Sequence, residues 1–157
     1  MSTFDARAHL HGVTVRAHQM FVKDLNALTE ENASKCPGGV ARPAIEVVVE
    51  CAGLNGSIAG LLTTGEFNRP TPEQRKAYYA TITTREAALA ELEQKTQILL
   101  AAIDTMDENT MGEMLPGIFG SPMTRFALAE VPFMHMMYHD GQLNYIQCLN
   151  GDSEIHW

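Results

Sequence analysis

The last long apolar stretch of the chain, residues 123–149, reads MTRFALAEVPFMHMMYHDGQLNYIQCL. Its apolar residues recur at the spacing of a helix, and Leu128, Val131, Ile146 and Leu149 fall on one face. Asn150 and Gly151 follow directly and end the pattern. The stretch therefore predicts an amphipathic helix, which needs apolar partners from the rest of the chain.

Three earlier segments show the same periodicity and are separated by proline and glycine clusters. The predicted helices span residues 3–34, residues 43–63 and about 30 residues from Thr71, where Thr71-Pro72-Glu73-Gln74 is a helix-capping signature. The run Val47-Val48-Val49 could begin a strand, but the spacing that follows favours a helix. Residues 107–122 contain three glycines and two prolines and predict a long connection. We expect an all-α four-helix bundle, formed as one domain over residues 1–157.

Composition excludes several classes of protein. The chain has 157 residues, 45% of them hydrophobic, and a formal net charge of -8, which together argue against disorder and against nucleic-acid binding. Residues 104–157 hold eight acids against one base, Arg125, and this charge also disfavours an anionic membrane surface. We expect no membrane span and no signal peptide, because no apolar stretch approaches the roughly 20 residues of a span and the first residues soon turn polar. Three cysteines without metal-site spacing predict reduced thiols and a cytoplasmic protein.

Two histidines of the last helix, His135 and His139, are spaced to bind one metal ion. Four residues apart, they share a helical face with the apolar stripe, whereas Asp140 and Asn144 are expected to point away from the core. Two imidazoles in an apolar core must satisfy four ring nitrogens away from water. The pair therefore predicts metal ligands, with two hydrogen-bonded core histidines as the alternative.

A carboxylate of the second helix lies on a similar stripe. Glu50 and Glu46 share a face with apolar residues, and a buried carboxylate normally pairs, protonates or binds a cation. Either glutamate could lie at a wet end of the bundle and pair with Arg42. The alternative is that Glu50 joins His135 and His139 in a site with open coordination positions, as in catalytic zinc, nickel or non-haem iron centres.

The segment His135-Met-Met-Tyr-His139-Asp-Gly141-Gln142 resembles the last-helix motif of the DinB/YfiT-like superfamily of metalloenzymes. That motif is His-x-x-x-His followed by x-Gly-Gln, and Glu50 stands where the family's second helix usually has a third histidine. The resemblance implies a four-helix bundle with at least one crossover connection, often a homodimer, and a metal held by three residues that face the bundle. Family members of known activity are similar to thiol-cofactor S-transferases or isomerases, and many others are regarded as metal-dependent hydrolases.

The leading hypothesis is an enzyme in which Glu50, His135 and His139 hold a divalent metal (Zn, Ni or Fe) that activates a water or a thiol. Its partner would be a small-molecule substrate or thiol cofactor, and no nucleic acid or membrane. The residues expected at the substrate pocket are Gln142, Tyr138, Tyr145 and, from the first helix, His18. The alternative is a non-catalytic dimeric bundle that binds a small apolar ligand, with the Glu/His cluster purely structural.

Overall fold

The computed structural model describes residues 4–156 of the chain. Within that range the chain forms six α-helices, one short 3₁₀ turn and one small β-hairpin. The α-helices are α1 (Ala6–Ala27), α2 (Glu30–Ser34), α3 (Ala44–Thr64), α4 (Pro72–Ala80), α5 (Arg85–Asp104) and α6 (Arg125–Leu149), and the strands are β1 (Met114–Leu115) and β2 (Met123–Thr124). The all-α fold class is confirmed.

Four long helices make the bundle. Helix α1 packs against α5 and α6, and α3 packs against the same two helices, so α1 and α3 lie at opposite corners, as do α5 and α6. The connection after α1 and the connection after α5 therefore each cross the bundle diagonally, which meets the expectation of at least one crossover. The core between the helices is fully apolar in places, with Phe21, Leu25, Leu92 and Leu143 completely buried.

Two of the predicted helices are in fact interrupted. The first ends at Ala27, because Leu28 is extended and Thr29 accepts a hydrogen bond from the Asn32 amide to begin α2. Residue 3, where that helix was expected to begin, lies outside the described residues. The capping box of Thr71 and Gln74 is present, but the helix it begins, α4, ends at Ala80. Thr84 then caps α5, a second capping threonine that the sequence reading overlooked.

The connection between α5 and α6 is ordered by a hairpin that was not expected from the sequence. Strands β1 and β2 pair antiparallel, with Met114 opposite Thr124. The turn between them needs a glycine, because a Cβ on Gly117 would lie 1.7 Å from the carbonyl oxygen of Ser121. Arg125 fixes the end of the hairpin to the bundle by donating to the carbonyl oxygen of Leu62 at 2.6 Å.

The expectation that no segment is long and apolar enough to span a membrane was wrong for helix α3. With 21 residues and a mean hydropathy of 1.5, Ala44–Thr64 is long and apolar enough to cross a bilayer by length and composition. Of its most apolar stretch, 61% is buried against the other helices. Its hydrophobicity is therefore accounted for by its place in the core of the bundle.

Candidate metal centre

Helix α6 brings His135 and His139 together as the spacing predicts. Their Nε2 atoms lie 3.2 Å apart, and the two rings meet edge to face with centroids 4.4 Å apart. The His139 side chain is 4% exposed and that of His135 is 23% exposed. One imidazole is thus buried and the other reaches the rim of the bundle, with both Nε2 atoms turned to the same point.

Glu50 of α3 faces both imidazoles. Its Oε1 lies 3.8 Å from His135 Nε2, and its Oε2 lies 4.0 Å from His139 Nε2. The same carboxylate forms an ion pair with Arg42, which precedes α3. The two sequence interpretations of Glu50, a partner of Arg42 and a neighbour of the histidines, are therefore both realised.

The surroundings of Glu50 favour its ionised form. The His135 imidazole, and then the Arg42 guanidinium, hold the pKa of Glu50 at about 2, against the opposing effect of burial. An ionised carboxylate with one oxygen towards each imidazole is a ready ligand for a cation. Burial, meanwhile, lowers the pKa of His139, which favours its neutral, metal-binding form.

The outer ring nitrogen of His139 is held by Gln142. The Nδ1 of His139 and the Oε1 of Gln142 are 2.7 Å apart. An amide oxygen can only accept, so Nδ1 carries the proton and Nε2, 3.2 Å from His135 Nε2, keeps a lone pair that can accept a proton or bind a cation. Metal-binding histidines are commonly oriented in this way. Gln142, one of the residues expected at the substrate pocket, contacts His139.

Cys51 is the residue of the centre that the sequence reading missed. The buried thiol lies next to Glu50 in α3, and its Sγ is 3.5 Å from His135 Nδ1. Donor atoms of Cys51, His135 and His139 all lie within 4.8 Å of one another, a grouping that could hold a metal ion. Burial, followed by the charge of Glu50, raises the pKa of Cys51 well above its ordinary value, so the metal-free protein keeps a protonated thiol there.

The other three residues expected at the substrate pocket lie on α6 and α1. Tyr138 is exposed, with its ring 5.0 Å from that of His139, and Tyr145 is exposed as well. His18 places its Nε2 3.1 Å from Glu93 on α5, and His11 pairs with Asp104. For all three pocket predictions, helical position indicated a face but could not indicate which neighbour covers it.

A cavity of about 1030 Å³ opens beside Glu50 and His135. Its walls come from α3, α5 and α6, from α4 and the segment before it, and from Ile118 and Phe119 of the hairpin turn. Most of these residues carry no motif, and the cavity forms only where four helices and the connections beside them meet. Sequence periodicity therefore gave no sign of the cavity.

The expectation that Asp140 and Asn144 point away from the core was wrong. Asp140 is 3% exposed, and the amide of Asn144 donates to the fully buried carboxylate of Asp24 on α1. Burial, and then the charge of Asp24, raises the pKa of Asp140 to about 7. Helix α6 packs against both α1 and α3, so its buried arc extends beyond the apolar stripe, whereas Leu149 at the other edge of that stripe is exposed.

Comparison with solved structures supports the fold. A conserved protein from Enterococcus faecalis superposes with a TM-score of 0.74 at 14% identity, covering 94% of this chain and 98% of that one. A DinB-like protein from Bacillus subtilis gives a TM-score of 0.71 at 16% identity, covering 95% and 96% of the two chains. A mycothiol-dependent maleylpyruvate isomerase gives 0.70 at 14% identity, covering 91% of this chain and 63% of the isomerase.

No family model matches the sequence, and no curated protein matches it either. The helical-bundle fold expected from the sequence is shared with these structures, including the DinB-like protein.

Proposed function

We propose that the protein is a metal-dependent enzyme whose divalent ion is held by Glu50, His135 and His139. The observation that carries the proposal is the convergence of three donors from two helices, with separations of 3.2, 3.8 and 4.0 Å between their atoms. Donors of one tetrahedral metal ion lie about 3.4 Å apart when each is near 2.1 Å from the ion, so small side-chain adjustments suffice.

Glu50 is preferred to Cys51 as the third ligand because of the ring nitrogens that each faces. Glu50 and His139 both lie at the Nε2 side of His135, whereas the Cys51 sulfur lies at Nδ1. A histidine presents these nitrogens in different directions, so an ion at Nε2 is remote from a sulfur at Nδ1. In this arrangement Cys51 is an outer partner of His135, as Gln142 is of His139.

The ion would supply Lewis acidity that lowers the pKa of a water or a thiol. The chain's own groups would then act on that nucleophile's surroundings. Gln142 keeps the His139 lone pair directed inwards, and Arg42 offsets the charge of Glu50 on the cavity side. The cavity next to His135 gives a small molecule access to the centre. A thiol-dependent isomerase among the structural neighbours supports thiol chemistry, with hydrolysis as the other reaction of the same centre. Zinc, nickel and iron all suit this donor set.

The second candidate is a non-catalytic bundle that binds a small apolar ligand and dimerises. The Arg42–Glu50 ion pair favours it, because the carboxylate already has a charged partner without a metal. In that case Glu50 and the histidines would only stabilise the junction of α3 and α6, and a homodimer would be seen by light scattering.

The test is metal binding by protein purified without an affinity tag. We expect elemental analysis to find zinc, nickel or iron, and titration of the stripped protein to restore one ion per chain. His139→Gln should abolish the binding. His11→Gln, which removes a partly exposed histidine of α1, is the matched control and should bind as the unchanged protein does. Stripped protein that takes up none of these ions, with an unchanged melting temperature, would refute the proposal.

A further inference from the structure

The cavity beside the centre has a charge opposite to that of the protein. Of its 20 lining residues four are basic, Arg42, Arg69, Arg75 and Lys95, and Glu50 is the only acidic one. The whole chain has 11 basic and 19 acidic residues. More than a third of the basic side chains are therefore collected in one concave site, where low-dielectric walls strengthen their field.

Three of these cations keep donors that the protein does not use. Arg42 is committed to Glu50. Arg75 donates to the carbonyl oxygen of Pro70 at 3.2 Å, which leaves the rest of its guanidinium. Lys95 lies 3.5 Å from Glu91, which also accepts from a tyrosine. Arg69 is exposed, and across residues 4–156 no acidic side chain comes within ion-pair distance of it.

Much of the rest of the lining is apolar. Side chains from four separate segments contribute to it: the partly buried Phe67, and Ile98, Phe119 and Met134, which remain well exposed to solvent. Small-molecule sites combine such walls with a few charged groups that orient the ligand. Repulsion among neighbouring cations is relieved when an anion binds between them, and guanidinium groups hold carboxylate or phosphate oxygens in pairs.

We propose that this cavity binds a small organic anion, with an apolar body against the hydrophobic wall and a carboxylate or phosphate group held by Arg69 and Arg75. Lys95 adds a further positive charge to the lining. The claim that this anion is the substrate of the metal centre rests on the proposed function. The claim that the cavity binds it does not, because none of the three cations is a proposed metal ligand.

The experiment is calorimetric titration of metal-stripped protein with phenylacetate, phenyl phosphate and the neutral phenylacetamide. We expect at least one of the two anions to bind about tenfold or more tightly than the amide, since a charged hydrogen bond contributes that much. The preferred anion then distinguishes carboxylate from phosphate chemistry. Arg69→Gln/Arg75→Gln should lose about tenfold in affinity for it. Arg16→Gln removes one positive charge at an exposed position of α1 outside the cavity, as Arg69→Gln does inside it, and should leave the affinity within about twofold.

Equal affinity for the amide and both anions, or an equal loss in Arg16→Gln, would overturn the anion site. If the double variant fails to fold, Arg69→Gln alone serves, because that side chain is exposed, and an unchanged affinity would count against the proposal. Zinc titration of the same samples separates the two claims. Zinc binding without anion binding would refute only the proposed anion site. Anion binding without zinc binding would support the anion site and refute the proposed metal centre.

Discussion

Helix α6 carries two polar clusters, one on each side of the bundle core, and the pKa values of their carboxyl groups are shifted in opposite directions. Towards α3, His135 and His139 meet Glu50, whose pKa falls to about 2 beside an imidazole and Arg42. Towards α1, Asp140 meets Asp24, and the pKa of Asp140 rises to about 7 because it is buried next to another acid.

This difference indicates which of the two clusters can still bind a cation. Asp24 and Asp140 reduce their repulsion by retaining a proton, and Asn144 donates to Asp24, so this cluster is a structural contact between α1 and α6. The cluster of Glu50 has an ionised carboxylate and two converging nitrogen atoms. Protonation offsets the cost of burying Asp24 and Asp140, and a bound cation can offset the cost of burying the charge of Glu50.

The largest expected effect separates the two candidate third ligands. Glu50→Gln should weaken zinc binding by more than about 100-fold, because the anionic ligand is lost. Cys51→Ser should change it by less than about tenfold, as expected for an outer partner of His135. Competition with a chromogenic zinc chelator measures both constants. A greater loss in Cys51→Ser than in Glu50→Gln would reverse the assignment.

A smaller effect is expected at Gln142. Removing its amide frees the His139 ring to change tautomer and orientation, so Gln142→Ala should weaken zinc binding by about tenfold. Gln94→Ala removes the same group from an exposed position on α5 and should have no effect. The same chelator assay compares them, and equal constants for both variants would show that Gln142 does not orient the ligand.

The acid pair predicts a modest pH dependence of stability. The raised pKa of Asp140 means that the folded protein binds more protons than the unfolded chain between about pH 4 and pH 7. The free energy of unfolding should therefore fall as the pH rises through this window. Asp140→Asn should flatten that fall and stabilise the protein at pH 8 by about 1 kcal/mol.

Urea unfolding of the metal-stripped protein at pH 5 and pH 8 measures this effect. Glu154→Gln makes the same change of charge on an exposed residue and should leave the fall in place. If Asp140→Asn keeps the full pH dependence, the raised pKa does not come from this pair.

The sequence predicted those features that depend on residues close together along the chain. The spacing of His135 and His139 fixes their common face, and the capping residues Thr71 and Gln74 fix the start of α4. The break at residues 81–84 was missed because the residues on both sides of it have good helix propensity, and only Thr84 marks the new start.

The contacts between helices were less accessible. Nothing local shows that α1 covers Asp140 or that Cys51 of α3 lies against His135, because both depend on how α6 is rotated between its neighbours. The ion pair of Arg42 with Glu50 joins residues eight apart and was foreseen only as an alternative. The cavity depends on how four helices and the connections beside them meet, which periodicity does not encode.

X-ray absorption spectroscopy of the zinc-loaded protein tests the central claim most directly, because it reports which atoms surround the ion. Ligation by Glu50, His135 and His139 predicts only nitrogen and oxygen neighbours, at about 2.0–2.1 Å, with the outer-shell pattern of two imidazoles. A sulfur neighbour at about 2.3 Å would contradict it and would place Cys51 on the ion.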